Sequence, residues 1–151
     1  MDKKHMDGKD IVPVHSPEKI SFKALIGNYS KTCFEARNVA DGARLFEAMV
    51  NDKDTIWLGI AGAGIVGGLG GYVIDLIKNG FIDVICTTGA QAYHDLHFAY
   101  GLPMKQGYPK ADDNVLRKEG VIRIYDIFLD ESKTLLAQDK KIREFANEMK
   151  L

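Results

Sequence analysis

Apolar and polar positions follow two rhythms along this 151-residue chain. Thr55–Ala61 is a short apolar strand, and it runs directly into a glycine cluster. Beyond the glycines, Ile65, Leu69, Val73 and Leu76 recur at intervals of four, four and three, the spacing of one helical face. Asn79-Gly80 supplies the C-terminal stop of that helix, and Ile82–Thr87 is a second apolar strand. Strand, helix and strand in this order predict a right-handed β-α-β crossover with two parallel strands.

The flanking segments extend this pattern. Phe34, Val39, Ala43, Phe46 and Val50 approximate one face of a helix within Ser30–Val50, which Asn51 and Asp52 end. Residues 1–17 are polar, are broken by Pro13 and Pro17, and read as an irregular arm; residues 18–151 read as one domain. Ala90–Tyr100 fits a short helix, and Gly101–Lys110, with two prolines and two glycines, fits a surface loop. Asp112 is a good N-cap for a helix that stops at Gly120. Val121–Leu129 reads as a third strand, and Asp130–Met149 as a closing helix with Leu135, Ile142, Phe145 and Met149 on one face. The expected class is α/β, a three-layer, Rossmann-like, mostly parallel sheet flanked by helices. Three strands make a thin sheet, so the fold is expected to be incomplete as a monomer.

Composition narrows the function classes. With 46% hydrophobic and 27% charged residues the chain has the make-up of a soluble globular domain. A net charge of -1 gives no electrostatic reason to expect nucleic acid or an anionic membrane as partner. The polar opening has no signal-peptide pattern, which makes the cytoplasm the expected compartment. Thr55–Ile74 is twenty residues without a charge, long enough to span a bilayer, but its seven glycines make a poor continuous helix. Two cysteines, Cys33 and Cys86, are too few for a disulfide framework, and Cys86, inside an apolar strand, is expected to be a buried, inert thiol.

The candidate chemistry lies at the strand ends. Gly62-Ala63-Gly64-Ile65-Val66-Gly67 is G-x-G-x-x-G after a strand and before a helix, the context of a dinucleotide fingerprint. The acid that should end the second strand is missing, since Asp83 sits near its start; glycines that merely let helix and strand pack closely remain the alternative. Thr87-Thr88-Gly89-Ala90 ends the second strand, where ligands bind in open α/β sheets; Thr88 could hydrogen-bond a ribose or phosphate, or simply cap the next helix. His94 and His97, three apart, could touch one metal, but no third ligand is in reach by sequence. His94 could instead face the cleft beside Thr88 as a proton carrier, or be an ordinary surface residue, and His97 is expected to matter little. Asp112-Asp113 reads as a cap and helix-dipole partner, and His5 and His15 show no pairing pattern.

Three segments carry a resemblance to a known family: LGIAGAGIVGGLGGYVIDLIKNGFIDVICTTGAQAYHDLHFAYG (Leu58–Gly101), DDNVLRKEGVIRIYDIFLDE (Asp112–Glu131) and, more weakly, FKALIGNYSKTCFEARNVADGARLFEAMV (Phe22–Val50). The chain resembles the deoxyhypusine synthase family, its bacterial and archaeal branch more closely than the eukaryotic one. The resemblance implies an NAD-dependent transferase, tetrameric in the family. Such an enzyme dehydrogenates spermidine, passes the aminobutyl group to a lysine as an imine, and delivers it to a lysine of the hypusine-containing translation factor or to another acceptor. It also implies that Gly62 and Ala63, with Thr88, Gly89 and Ala90, contact NAD, and that His94 stands where eukaryotic members have a functional glutamate. Members are roughly twice this length, and the family's catalytic lysine, its spermidine pocket and a further glycine-rich NAD segment have no counterpart in these residues. The chain thus resembles an N-terminal half, with a non-catalytic regulatory or scaffold subunit as the alternative.

Overall fold

The computed structural model describes residues 9–16, 19 and 21–150. By its internal packing the chain divides into two units, Met1–Ile56 and Trp57–Leu151. In the first, residues 9–16 have no regular structure; positions 1–8 and 17 of the expected arm, His5 among them, lie outside the described residues. Helix α1, Phe22–Tyr29, is capped by Ser21, whose Oγ accepts from the Ala24 N–H at 3.1 Å. Helix α2, Phe34–Asp52, starts four residues later than the expected Ser30. The intervening hydroxyls bond back to the preceding turn, Ser30 Oγ to the Gly27 carbonyl at 2.8 Å and Thr32 Oγ1 to that of Tyr29 at 2.7 Å, so the segment closes α1 instead of opening α2.

The second unit opens with the predicted crossover. Strand β1, Trp57–Ile60, pairs in parallel with β2, Val84–Thr87, in the register Trp57 to Val84 through Ile60 to Thr87. Between them lie a wide five-residue turn, Ile65–Leu69, and helix α3, Gly70–Lys78. Gly68 breaks the helical path of that turn at φ +95°, a conformation that side chains other than hydrogen disfavour. Helix α4, Gly89–Ala99, follows β2 directly.

The expected third parallel strand is not one strand. Val121–Leu129 folds back on itself as β4, Val121–Ile124, and β5, Ile127–Asp130, antiparallel and joined by a two-residue turn at Tyr125-Asp126. Tyr125 takes φ +54°, and its carbonyl accepts from Arg123 Nη1 at 3.3 Å while the same guanidinium holds Asp113. Left-handed turns normally announce themselves by Asn-Gly or Asp-Gly, and Tyr-Asp does not. The expected loop Gly101–Lys110 contains strand β3, Met104–Gln106, which pairs with β5 to complete an antiparallel sheet of order β3-β5-β4. The α/β class therefore holds, with two small sheets, one parallel and one antiparallel, where one mostly parallel sheet was expected.

Helix α5, Asp113–Glu119, is capped by Asp112 and stopped by Gly120 at φ +67°, as the sequence predicts. The closing segment is a wide turn, Glu131–Leu136, leading into helix α6, Ala137–Glu148. The apolar core of this unit is small, with Ile65, Val66, Ile82, Ala111, Leu116 and Leu129 buried. Four polar side chains, Gln91, His97, Thr134 and Gln138, are buried with them. Residues paired across parallel strands share a face, and the face carrying Trp57, Gly59 and Cys86 is open. Trp57 is 67% exposed, and the Cys86 thiol, expected to be buried, is exposed on the same face, where its strand partner Gly59 carries no side chain. Among the described residues no helix is long and apolar enough to cross a membrane.

Candidate functional site

Parallel pairing decides where the two glycine-bearing turns go. Because Ile60 and Thr87 are in register, the chain leaves β1 and β2 at the same edge of the sheet. Thr87 Oγ1 donates to the Ile60 carbonyl at 3.1 Å, tying the strand ends together. Gly62, Ala63, Thr88, Gly89 and Ala90 are all exposed along this edge. Gly62 adopts φ +83°, so its carbonyl turns toward α4, where Gln91 Nε2 donates to it. At Thr88 the capping alternative is not used: it occupies the N-cap position of α4 without a side-chain capping bond. The first N–H groups of a helix have no carbonyl one turn earlier to bond, so the Gly89-Ala90 end is a ready donor surface.

Gln91 is the residue that sequence reasoning passed over. It is 3% exposed, its amide nitrogen is committed to Gly62, and its Oε1 is buried without a hydrogen-bond partner. A buried acceptor left open beside two exposed turns suits a donor from a bound molecule. The only hint in the sequence is its position, between Ala90 and His94 in a helix otherwise read for its histidines.

His94 lies three residues beyond Gln91, which puts both on the same side of α4. Its half-buried ring packs against Tyr93 at 5.8 Å and His97 at 5.3 Å between centroids. His94 Nδ1 is 3.2 Å from His97 Nε2, and His97 Nδ1 is 2.7 Å from Gln138 Oε1. Gln138 Nε2 donates in turn to the Tyr93 carbonyl at 2.6 Å, and the Tyr93 hydroxyl donates to Asp139 at 2.9 Å. His97 is therefore no surface residue; it is fully buried and bonded on both nitrogens. The two rings bond each other rather than converging on a common ligand, and among the described residues no group of three or more His, Cys, Asp or Glu gathers as for a metal. Burial, and then the neighbouring His97, hold the His94 pKa below the ordinary imidazole value. Burial lowers that of His97 too, partly opposed by its bond to Gln138.

Two glycine turns thus leave one parallel-sheet edge, followed by a helix bearing Gln91 and His94, and the sequence that carries them has known relatives. The family model for deoxyhypusine synthase matches residues 24–151. The chain belongs to the deoxyhypusine synthase family. It is 38% identical over 143 residues to a deoxyhypusine synthase-like protein of Nostoc sp., covering 93% of this chain and 37% of that protein. A deoxyhypusine synthase-like protein of Thermosynechococcus vestitus is 37% identical over 135 residues, 89% of this chain and 33% of that protein. The probable deoxyhypusine synthase 1 of Methanosarcina acetivorans is 37% identical over 125 residues, 82% of this chain and 38% of that protein. The chain thus spans about a third of the length of these relatives, less than the half that the resemblance implied. Within the deoxyhypusine synthase match fall both turns, α4 and the α6 residue Gln138.

Proposed function

We propose that the chain supplies the N-terminal part of the NAD site of a deoxyhypusine synthase-like, NAD-dependent aminobutyl (spermidine) transferase, with the catalytic lysine provided from outside these residues. The observation that carries this reading is the Gly62 turn and the Thr88-Gly89-Ala90 turn leaving one sheet edge, with the open acceptor of Gln91 beside them.

The residues suit a dinucleotide. A Cβ built at Gly62 or Gly89 meets nothing within 4 Å, so both turns are open to close approach. Backbone N–H groups at Gly89 and Ala90 would hold phosphate oxygens, the Thr88 hydroxyl would bond a ribose, and Gln91 Oε1 would accept from a ribose hydroxyl or a carboxamide. NAD, when bound, supplies the hydride acceptor. In this reading residues 18–151 act as an NAD-binding-type part of the enzyme, with 1–17 as an arm, and the β1-β2 pair is the nucleus of a three-layer Rossmann-like sheet completed by further chain. His94, one helical turn beyond the residue that grips Gly62, would take the proton from the amine being oxidised; its lowered pKa keeps the ring neutral and able to accept. Spermidine or a related polyamine as donor, a protein acceptor and a tetrameric or other oligomeric, cytoplasmic enzyme belong to the same proposal.

Titration of the intact protein with NAD tests it. Saturable binding that is abolished by Gly62→Val or Thr88→Val supports the reading. Binding indifferent to both substitutions would sink it and leave the regulatory or scaffold subunit.

A further inference from the structure

The bonds that join α4 to α6 have a direction, and it is set at one end. The Tyr93 carbonyl can only accept, so the Gln138 group 2.6 Å from it must be the NH₂. That orients Oε1 of Gln138 toward His97, and an amide oxygen can only accept, so His97 Nδ1 carries a proton and donates across 2.7 Å. Reversing the Gln138 amide would set oxygen against oxygen at Tyr93 and N–H against N–H at His97, in a site where Gln138 and His97 are both fully buried. Buried and neutral, His97 has one proton, so its Nε2 is an acceptor and the donor across 3.2 Å is His94 Nδ1.

We infer that His97 and Gln138 are positioning residues that hold His94 as its Nδ1–H tautomer and leave Nε2 as its only proton-accepting nitrogen. This rests on the reading of His94 as the proton acceptor and deepens it, since a neutral histidine free to choose its tautomer offers a given nitrogen as base only part of the time. The relay is also tolerant of the event it would serve. A proton taken up at His94 Nε2 leaves Nδ1–H still donating to His97, so no hydrogen bond of the network is lost when the ring becomes charged. A proton on His97 would instead set its Nε2–H against the Nδ1–H of His94.

Nitrogen-15 spectra of histidine-labelled intact protein test the inference at about pH 8, above the ordinary imidazole range. The His94 signals are identified by their loss in His94→Gln. Expected are a protonated Nδ1 and a bare Nε2 on both rings, favoured by about fivefold or more, the ratio one net hydrogen bond sustains. Gln138→Met should let His94 and His97 populate both tautomers, whereas Tyr93→Phe, which keeps the accepting carbonyl, should leave them unchanged. A protonated Nε2 on His94 in the wild-type protein overturns the inference, whether or not any variant folds. The same is true if Gln138→Met folds and leaves both tautomers as they were. Failure of the catalytic reading is separate: expected tautomers together with full turnover by His94→Ala would remove the base and keep the relay.

Discussion

Gln91 Nε2 donates to the carbonyl of Gly62, so a helix side chain 29 residues away holds the turn that follows the first strand. Gln91→Leu should therefore loosen that turn. The bond is part-buried and the exposed Gly62 carbonyl can turn to water once it is lost, so a net loss of about 1 kcal/mol is expected. Chemical denaturation reads that loss, and NAD titration should show weakened binding with the substitution.

Gly62→Val and Gly59→Ala should part company. Gly62 sits at φ +83° and Gly59 at no unusual φ, and a Cβ meets nothing within 4 Å at either. Neither Cβ is crowded, and backbone strain of about 1–3 kcal/mol falls on Gly62 alone. Thermal melts of both variants should show Gly59→Ala within about 0.5 kcal/mol of wild type.

Gly107 lies under an aromatic ring. A Cβ there would come within 2.5 Å of Phe128, whose ring also packs on Tyr108 at 5.4 Å. Gly107→Ala should cost about 1–3 kcal/mol by overpacking the antiparallel sheet. Phe128→Leu in the same chain should recover part of the loss, so a double-mutant cycle should give a clear coupling energy.

Under the proposed transferase reading, His94→Ala in the intact protein should lower turnover by at least about tenfold, the low end of what a general base contributes being about a hundredfold. Its stability cost should stay near 1 kcal/mol, since the site is half-buried and water can reach His97 Nε2 in its place. His97→Ala should behave differently from its sequence expectation of little effect. It empties a fully buried site and strands Gln138 Oε1, so about 2 kcal/mol or more should be lost in a denaturant titration.

Both histidines also make stability depend on pH in one direction. Their folded pKa values lie below the ordinary 6.5, so between the folded value and 6.5 the unfolded chain binds more protons. The contribution is fully present above about pH 6.5 and is lost as pH falls from there through the folded values. Denaturation midpoints across that interval should fall with acid, and His97→Gln should flatten the slope.

Local backbone preference made several elements readable. Asp112 caps α5 and Gly120 ends it because an Asx side chain reaches an N–H two residues on and glycine accepts a left-handed φ, both settled within one turn of chain. The apolar runs of β1 and β2, and the glycine turns after them, follow from the same short-range signals, and parallel pairing then brings Gly62 and Thr88 to one edge. The Val121–Leu129 hairpin was not readable, because Tyr125 stands at φ +54° with one bond from Arg123 on its carbonyl, against its own preference.

What only tertiary structure decided is which polar side chains meet. Nothing local to His97 distinguishes it from an exposed helix histidine; its burial comes from α6 laying Gln138 against it, 41 residues along the chain. The same approach sets the Gln138 amide against the Tyr93 carbonyl and, through His97, orders the His94 ring. Helix and turn propensities are sums over neighbours in sequence, so they are written in the order of the residues. A hydrogen bond inside a small core depends on donor and acceptor arriving within about 3 Å of each other, and that distance exists only once the helices have packed.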